Sequence, residues 1–313
     1  MPMVYELIII GGGPAGAAAA VYAARKQLQT LMIAQEIGGQ SSVSETIYNW
    51  IGTPAISGTD LALSLKKHVE EYTVAPHTLT LDLGHRVTAV SKQGDLFTVT
   101  TDDGASHETR AILIATGSRH RKLEVPGAAE FDHKGIMYCA TCDGPLFSGM
   151  PVAVAGGGNA ALEAVLQLAQ YASHVTLIHR SESYRADPIT VAKAQALSNV
   201  TLLTNTDIVE IKGDQFVSAV VYKPKDSAET VELPVNAIFV EIGQIPNTDF
   251  VHDVVPLDQS GKVFVDPMNQ RTKLAGIWAA GDCTTGLYHQ NNIAAGDAVK
   301  AIEDLYIWLK TGK

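Results

Sequence analysis

The sequence predicts an α/β fold of two Rossmann-like, three-layer ββα dinucleotide-binding domains, the second inserted in the first. Three observations predict it. A glycine-rich turn, Gly11-Gly12-Gly13-Pro14-Ala15-Gly16, follows an apolar run near the start of the chain. A second, Gly156-Gly157-Gly158-Asn159-Ala160-Ala161, begins 145 residues after Gly11, about one domain length. Two apolar segments, 111–117 and 237–243, each end at a glycine and close their own half.

Each element has a local reason. Tyr5–Ile10 is a short apolar run that suits a buried parallel strand. The G-x-G-x-x-G turn follows, then the helix-forming stretch Ala17–Ala24 and a second strand, Thr30–Ile33. Val152–Ala155, the G-x-G-x-x-A turn, a helix over Leu162–Gln170 and a strand over Val175–Ile178 repeat the unit. Alternating segments such as Leu96–Thr101 and Val217–Tyr222 read as hairpin strands within each unit. After Pro246 no third unit begins: a short strand over Lys262–Val265, the segment Gly276–Asp282 and a helix near Asn292–Leu309 complete the first. The predicted division is residues 1–117 with 247–313, interrupted by 118–246.

Composition bounds the function. The chain has 313 residues, 46% hydrophobic and 18% charged, with net charge −10 and no basic cluster. Nucleic-acid and anionic-membrane binding are therefore not expected. Glycines and Pro14 interrupt the apolar start, Leu7 to Ala24, so it reads as strand–turn–helix and not as a membrane span. Three cysteines, Cys139, Cys142 and Cys283, are too few for a secreted disulfide scaffold, and a cytoplasmic setting is expected.

The two glycine turns suit diphosphates. A glycine permits tight turning, its missing side chain lets backbone N–H groups approach, and a helix N-terminus adds partial positive charge. Gly11, Gly13 and Gly16 fit these roles in the first turn, and Gly156, Gly158 and Ala161 in the second. Glu36 stands where a ribose-binding acid is expected, with a solvated loop residue as the alternative. Asp282 can accept a ribityl hydroxyl or cap the last helix. In the second unit His179-Arg180-Ser181 ends the strand, with Arg185 beyond. Arg180 and Arg185 can pair with a 2′-phosphate, favouring NADPH over NADH, or be surface arginines.

Between the turns lies Cys139-Ala140-Thr141-Cys142. The competing readings are half of a zinc site, a buried inert pair and a redox dithiol. No second C-x-x-C or zinc-spaced His pair exists, so no metal site is expected. Small and polar neighbours ending in Asp143-Gly144-Pro145 suit an accessible turn entering a helix, where a thiolate is stabilised. Redox chemistry is the favoured reading. Cys283 reads as a small core residue.

These residues, with Gly38-Gly39-Gln40, Asn49-Trp50, Ala115-Thr116-Gly117, Glu163 and Gly281-Asp282, resemble the low-molecular-weight, bacterial-type thioredoxin reductases over essentially the whole chain. The resemblance implies a homodimeric flavoprotein with a large rotation between its domains, serving a thioredoxin or thioredoxin-like protein. It places FAD at Gly11, Gly13, Pro14, Ala15, Gly16, Glu36, Gly39, Gln40, Asn49, Ala115, Thr116, Gly117, Asp282 and Gln290. It places NADPH at Gly156, Gly158, Asn159, Ala160, Ala161, Glu163, His179, Arg180 and Arg185. It makes Cys142 the sulfur nearest the flavin, Cys139 the attacking thiol and Asp143 the acid that manages protons.

Three departures from the family pattern stand out. Ser181 replaces an expected arginine, which weakens the preference for NADPH. His289 and Asn291 flank Gln290 where arginine and a small residue are usual. Gly281-Asp282-Cys283-Thr284-Thr285 is closer to the reductase component of alkyl hydroperoxide reductase, a family with a different pair between its cysteines and an extra N-terminal redox domain that is not expected here. Two alternatives therefore accompany the leading reading: a flavin-dependent dithiol oxidase using oxygen, and a reductase for a peroxiredoxin system using NADH. A nucleotide-binding redox sensor without turnover has no residue in its favour.

Overall fold

The run Leu7-Ile8-Ile9-Ile10 has no polar side, and both of its faces are buried. In the computed structural model, which describes residues 3–44, 46–74 and 78–312, this run ends strand β1 (Val4–Ile10). Leu7 and Ile9 join one apolar cluster with the alanines of helix α1 (Pro14–Arg25), while Ile8 and Ile10 join a second cluster. This is the alternation of a strand covered on both faces. Pro14 occupies the first turn of α1, where no N–H is needed, so the helix begins three residues before the expected Ala17.

The chain continues through β2 (Thr30–Ala34), α2 (Gly58–Glu70), β3 (Leu79–Leu83), β4 (Val87–Gln93), β5 (Leu96–Thr101) and β6 (Ser106–Ile114), and leaves through β7 (Ser118–His120). Next come β8 (Ile136–Met137), the single turn α3 (Ala140–Asp143), β9 (Pro151–Ala155), α4 (Asn159–Leu168), β10 (His174–Ile178), α5 (Pro188–Gln195) and β11 (Val200–Leu203). A meander follows, β12 (Thr206–Gly213), β13 (Val217–Pro224) and β14 (Val231–Pro234), then β15 (Ala237–Val240). The return is through β16 (Gln244–Pro246), ending in β17 (Ile277–Ala279) and α6 (Asn291–Thr311). Residues 1–119 with 245–313 make one compact unit, and 120–244 make another.

Among the described residues the first unit holds a seven-stranded sheet ordered β3-β2-β1-β6-β5-β4, with β17 also on β6. β1 is parallel to β2 (Ile10 opposite Ile33) and to β6 (Ile10 opposite Ile114), so two strand ends meet beside the first glycine turn. β17 pairs parallel with β6 at Ile112–Ile114, and the β4–β5 hairpin pairs antiparallel with its earlier half. α1 and α6 cover one face, and Phe97, Val263 and Cys283 belong to the cluster on the other.

The second unit repeats the plan with a five-stranded parallel sheet, β11-β10-β9-β15-β8. Val152 and Val154 pack with α4, whereas Ala153 and Ala155 pack with residues of the antiparallel β12-β13-β14 sheet. Lys262–Val265, expected as a strand, is not one. Among the described residues Val263 makes isolated bridges to Leu257 and Thr284, and no ladder extends from it to its neighbours. No described helix is long and apolar enough to cross a membrane.

Candidate active site

The first glycine turn is built by close backbone approach. Gly11 has φ +115°, and a Cβ there would lie 2.3 Å from the carbonyl oxygen of Ala115 at the end of β6. Only glycine tolerates that conformation and that approach. A Cβ on Gly39 would lie 3.0 Å from the Cα of Gly13, and one on Gly281 would lie 3.5 Å from Ala15. Gly11, Gly13, Ala15, Gly39, Ala115, Thr116 and Gly281 therefore share one cradle. It opens on the N-terminus of the 12-residue α1, which has no side-chain cap and so leaves backbone N–H groups for a ligand.

Polar side chains frame the cradle. Gln40 donates through Nε2 to the Ser118 carbonyl. Asn49 Nδ2 donates to Gln290 Oε1 at 3.0 Å, and Ser41 Oγ donates to Asn291 Oδ1 at 2.8 Å. Thr116 Oγ1 donates to the Asn247 carbonyl at 2.7 Å, and Asn247 returns a bond to the Thr116 carbonyl at 3.0 Å. Glu36 is exposed just beyond β2. Asp282 lies beside His289, at 3.5 Å. Cys283 is fully buried; its Sγ donates to the Ala280 carbonyl, and burial pushes the thiol up to about 11. It is the core residue expected.

The second turn repeats the first. Gly156 has φ +146°, and a Cβ there would lie 2.4 Å from the Glu241 carbonyl oxygen at the end of β15. A Cβ on Gly157 would strike the His179 ring at 2.2 Å, whereas around Gly158 nothing lies within 4 Å. Gly158 precedes α4, again without a side-chain cap, so the open side of this loop carries free helix-end N–H groups. Ala161 is fully buried beneath the loop. Asn159 Oδ1 accepts from the Asp187 N–H at 2.7 Å, and the Arg185 N–H donates to the Gly157 carbonyl at 2.8 Å. The chain after β10 is thereby folded back on the loop, bringing Arg185 to it.

His179 is buried behind the loop; its Nε2 contacts the Ser183 carbonyl at 3.1 Å and its ring stacks on Tyr184. Arg180 is exposed at the strand end. Glu163 is exposed on α4 and acts on Glu241, a residue outside the expected site. Burial first, then the Glu163 charge, pushes the Glu241 carboxyl up to about 8. The repeat held the signal: Glu241 stands where the first unit has Ala115.

The cysteines sit on the turn packed against that same α4. Cys139 caps α3, and its Sγ accepts from the Cys142 N–H at 3.1 Å. The two form a disulfide with Cα atoms 5.3 Å apart. Thr141 Oγ1 donates to Gln167 Oε1 on α4 at 3.0 Å, and Gly144 lies against Leu168 and Tyr171. α3 is a single turn, and at Gly144-Pro145 the chain passes into a 3₁₀ turn. Asp143 is half-buried, and desolvation pushes its carboxyl up to about 6. Among the described residues no group of three or more His, Cys, Asp or Glu is placed to hold a metal.

Two dinucleotide cradles in one chain, with a disulfide seated on the helix of the second, define a nucleotide-dependent disulfide oxidoreductase. The chain belongs to the pyridine nucleotide-disulphide oxidoreductase family, which it matches over residues 5–298. That family uses FAD and a nicotinamide nucleotide, and the two cradles fit two dinucleotides. The chain is 40% identical over 298 residues to a component of the alkyl hydroperoxide reductase of Pseudomonas aeruginosa, covering 95% of this chain and 57% of that relative. It is 38% identical over 297 residues to an NADH dehydrogenase of Bacillus subtilis, again covering 95% of this chain and 57% of the relative. The chain thus spans little more than half the length of these curated relatives. Thioredoxin reductase of Streptococcus pyogenes has the same fold, with TM-score 0.90, 33% identity and coverage of 99% and 100% of the two chains.

Proposed function

We propose that the chain is an NADPH-dependent flavoprotein disulfide reductase that passes electrons through FAD and the Cys139–Cys142 pair to a thioredoxin-like protein. The observation that carries this reading is the disulfide on α3, beside a half-buried acid and against the helix of a nucleotide cradle. FAD is assigned to the cradle of Gly11, Gly13 and Gly39, where bound flavin supplies a two-electron relay between nicotinamide and disulfide. The nicotinamide nucleotide is assigned to the cradle of Gly156 and Gly158, with Arg180 and Arg185 reading its ribose end. A cytoplasmic homodimer is the proposed working form.

The protein's own steps follow thiol–disulfide chemistry. In the reduced pair, the Cys139 thiolate attacks one sulfur of the partner's disulfide. That bond breaks, a Cys139–partner bond forms, and the partner's second sulfur leaves as a thiolate. Cys142 then attacks Cys139 Sγ, restoring the Cys139–Cys142 bond and releasing the partner's first sulfur. Two electrons pass to the partner, and two protons follow them. Asp143, raised toward neutrality, is the group placed to carry a proton at the pair.

A second reading, an NADH-fed reductase of a peroxiredoxin system, draws on Ser181 and on the relative from alkyl hydroperoxide reductase. One anaerobic experiment tests both. The flavin spectrum is titrated with NADPH and, in parallel, with NADH, and the reduced protein is then offered an oxidised thioredoxin or an oxidised peroxiredoxin. Faster bleaching by NADPH and re-oxidation by thioredoxin are expected. Bleaching by NADH with re-oxidation by the peroxiredoxin alone selects the second reading. A bound flavin that neither nucleotide reduces overturns both, and oxygen uptake driven by a small dithiol without nucleotide points to the oxidase.

A further inference from the structure

We infer that Lys262, acting through His289, is a positioning residue for the Asp282 carboxylate and thereby sets the grip of the first cradle on FAD. The inference rests on the assignment of FAD to that cradle. Its basis is a chain of three polar side chains within the first unit. Lys262 Nζ lies 2.8 Å from His289 Nε2, and His289 Nδ1 faces Asp282 Oδ1 at 3.5 Å.

Donor inventory fixes the direction of this chain. A lysine ammonium has three donors and no acceptor. At 2.8 Å it must donate, so His289 Nε2 presents its lone pair. The ring's one proton is then on Nδ1, the nitrogen that faces Asp282. The imidazole thus accepts from the ammonium on one nitrogen and turns the other toward the carboxylate. Oδ1 is the carboxylate oxygen that His289 faces, and a carboxylate oriented in this way is the acceptor offered to a hydroxyl of a bound dinucleotide.

The backbone holds the chain of groups in register. The Val263 N–H donates to the Cys283 carbonyl at 2.8 Å, and the Thr285 N–H donates to the Val263 carbonyl at 3.0 Å. The residue after Lys262 is therefore strapped to the residue after Asp282. Asp258 also feels the Lys262 charge, and it is held by the turn it caps. Its Oδ1 already accepts from Ser260 N–H, Ser260 Oγ and Lys262 N–H, each at 2.8 Å. His289 directly precedes Gln290, the N-cap of α6, so the imidazole is anchored at that helix end. Asp282 follows Gly281, which packs beside Ala15 of the glycine turn. The side chains of His289 and Asp282 are only 21% and 27% exposed.

The test is FAD affinity, read by the recovery of flavin fluorescence when apoprotein is titrated, with a double-mutant cycle over Lys262→Met and Asp282→Asn. Lys262→Met is expected to weaken FAD binding roughly tenfold, the scale of one hydrogen bond to a charged group. In the Asp282→Asn background the same change is expected to cost less than about twofold, because the group it positions is gone. Lys262→Arg is expected to restore most of the affinity. A ring ¹⁵N shift that marks His289 as the Nδ1–H tautomer, lost in Lys262→Met, is the matching spectroscopic signature. Wild-type affinity in Lys262→Met, or equal losses in both backgrounds, overturns the inference while leaving the FAD assignment intact. Wild-type protein that binds no FAD overturns both.

Discussion

Asp143→Asn tests the acid beside the disulfide through stability and turnover together. Burial raises this carboxyl from 3.8 to about 6, so the folded protein holds its proton more tightly than the unfolded chain does. At 1.36 kcal/mol for each pKa step, ionising it in the fold costs about 3 kcal/mol. The cost is absent below pH 3.8, grows as pH rises to about 6, and is constant above. Wild-type protein with the disulfide formed should lose up to ~3 kcal/mol between about pH 4 and pH 8 relative to Asp143→Asn, which has no charge to desolvate. Urea denaturation at one-pH intervals measures the difference directly. Asparagine cannot exchange a proton, so reduction of the partner disulfide should slow about 10²–10⁴-fold, and the limb near pH 6 should vanish from the rate profile. Parallel pH–stability curves for the two proteins would refute the buried-carboxylate argument. Undiminished turnover would remove Asp143 from the chemistry.

Three further outcomes are expected. Cys142→Ser should trap the partner on Cys139 as a mixed disulfide visible on a non-reducing gel; trapping by Cys139→Ser instead would reverse the two roles. Ser181→Arg should raise the NADPH-to-NADH ratio of kcat/KM at least about tenfold, since a charge-assisted bond contributes about 1.5–3 kcal/mol; an unchanged ratio would show that the 2′-phosphate is read elsewhere. Gly157→Ala, whose methyl meets the His179 ring at 2.2 Å, should lower stability by about 1–3 kcal/mol. Gly158→Ala, with nothing within 4 Å, should leave the melting temperature nearly unchanged while weakening nucleotide binding; calorimetry of the pair separates packing from ligand approach.

The glycine turns and their flanking strands were legible because buried parallel strands need unbroken apolar runs. Leu7–Ile10 feeds two opposite clusters in four residues, and residues 111–114 of β6 do the same. Gly11 and Gly156 could be read because each meets a carbonyl from its unit's closing strand, Ala115 in one and Glu241 in the other. Lys262–Val265 was misread because its composition suits a strand, while a strand also needs a partner in register over several residues, and of these four residues Val263 alone makes bridges. The Lys262–His289 contact joins residues 27 apart in irregular chain, where no periodicity links them. Glu241 was passed over because it ends an otherwise apolar strand and so reads as a turn residue. His179, grouped by pattern with the arginines, turns inward because Gly157 leaves room for its ring.

The discontinuity of the first unit orders its assembly. β1 and α1 are synthesised before the inserted segment, whereas β17 and α6, which complete their sheet and cover, are synthesised after it. The intervening 120–244 segment contains every strand of its own parallel sheet and can close while synthesis continues. The first unit is therefore completed after the second. During that interval the nascent alanine-rich face of α1 is exposed, the stretch a chaperone would have to shield.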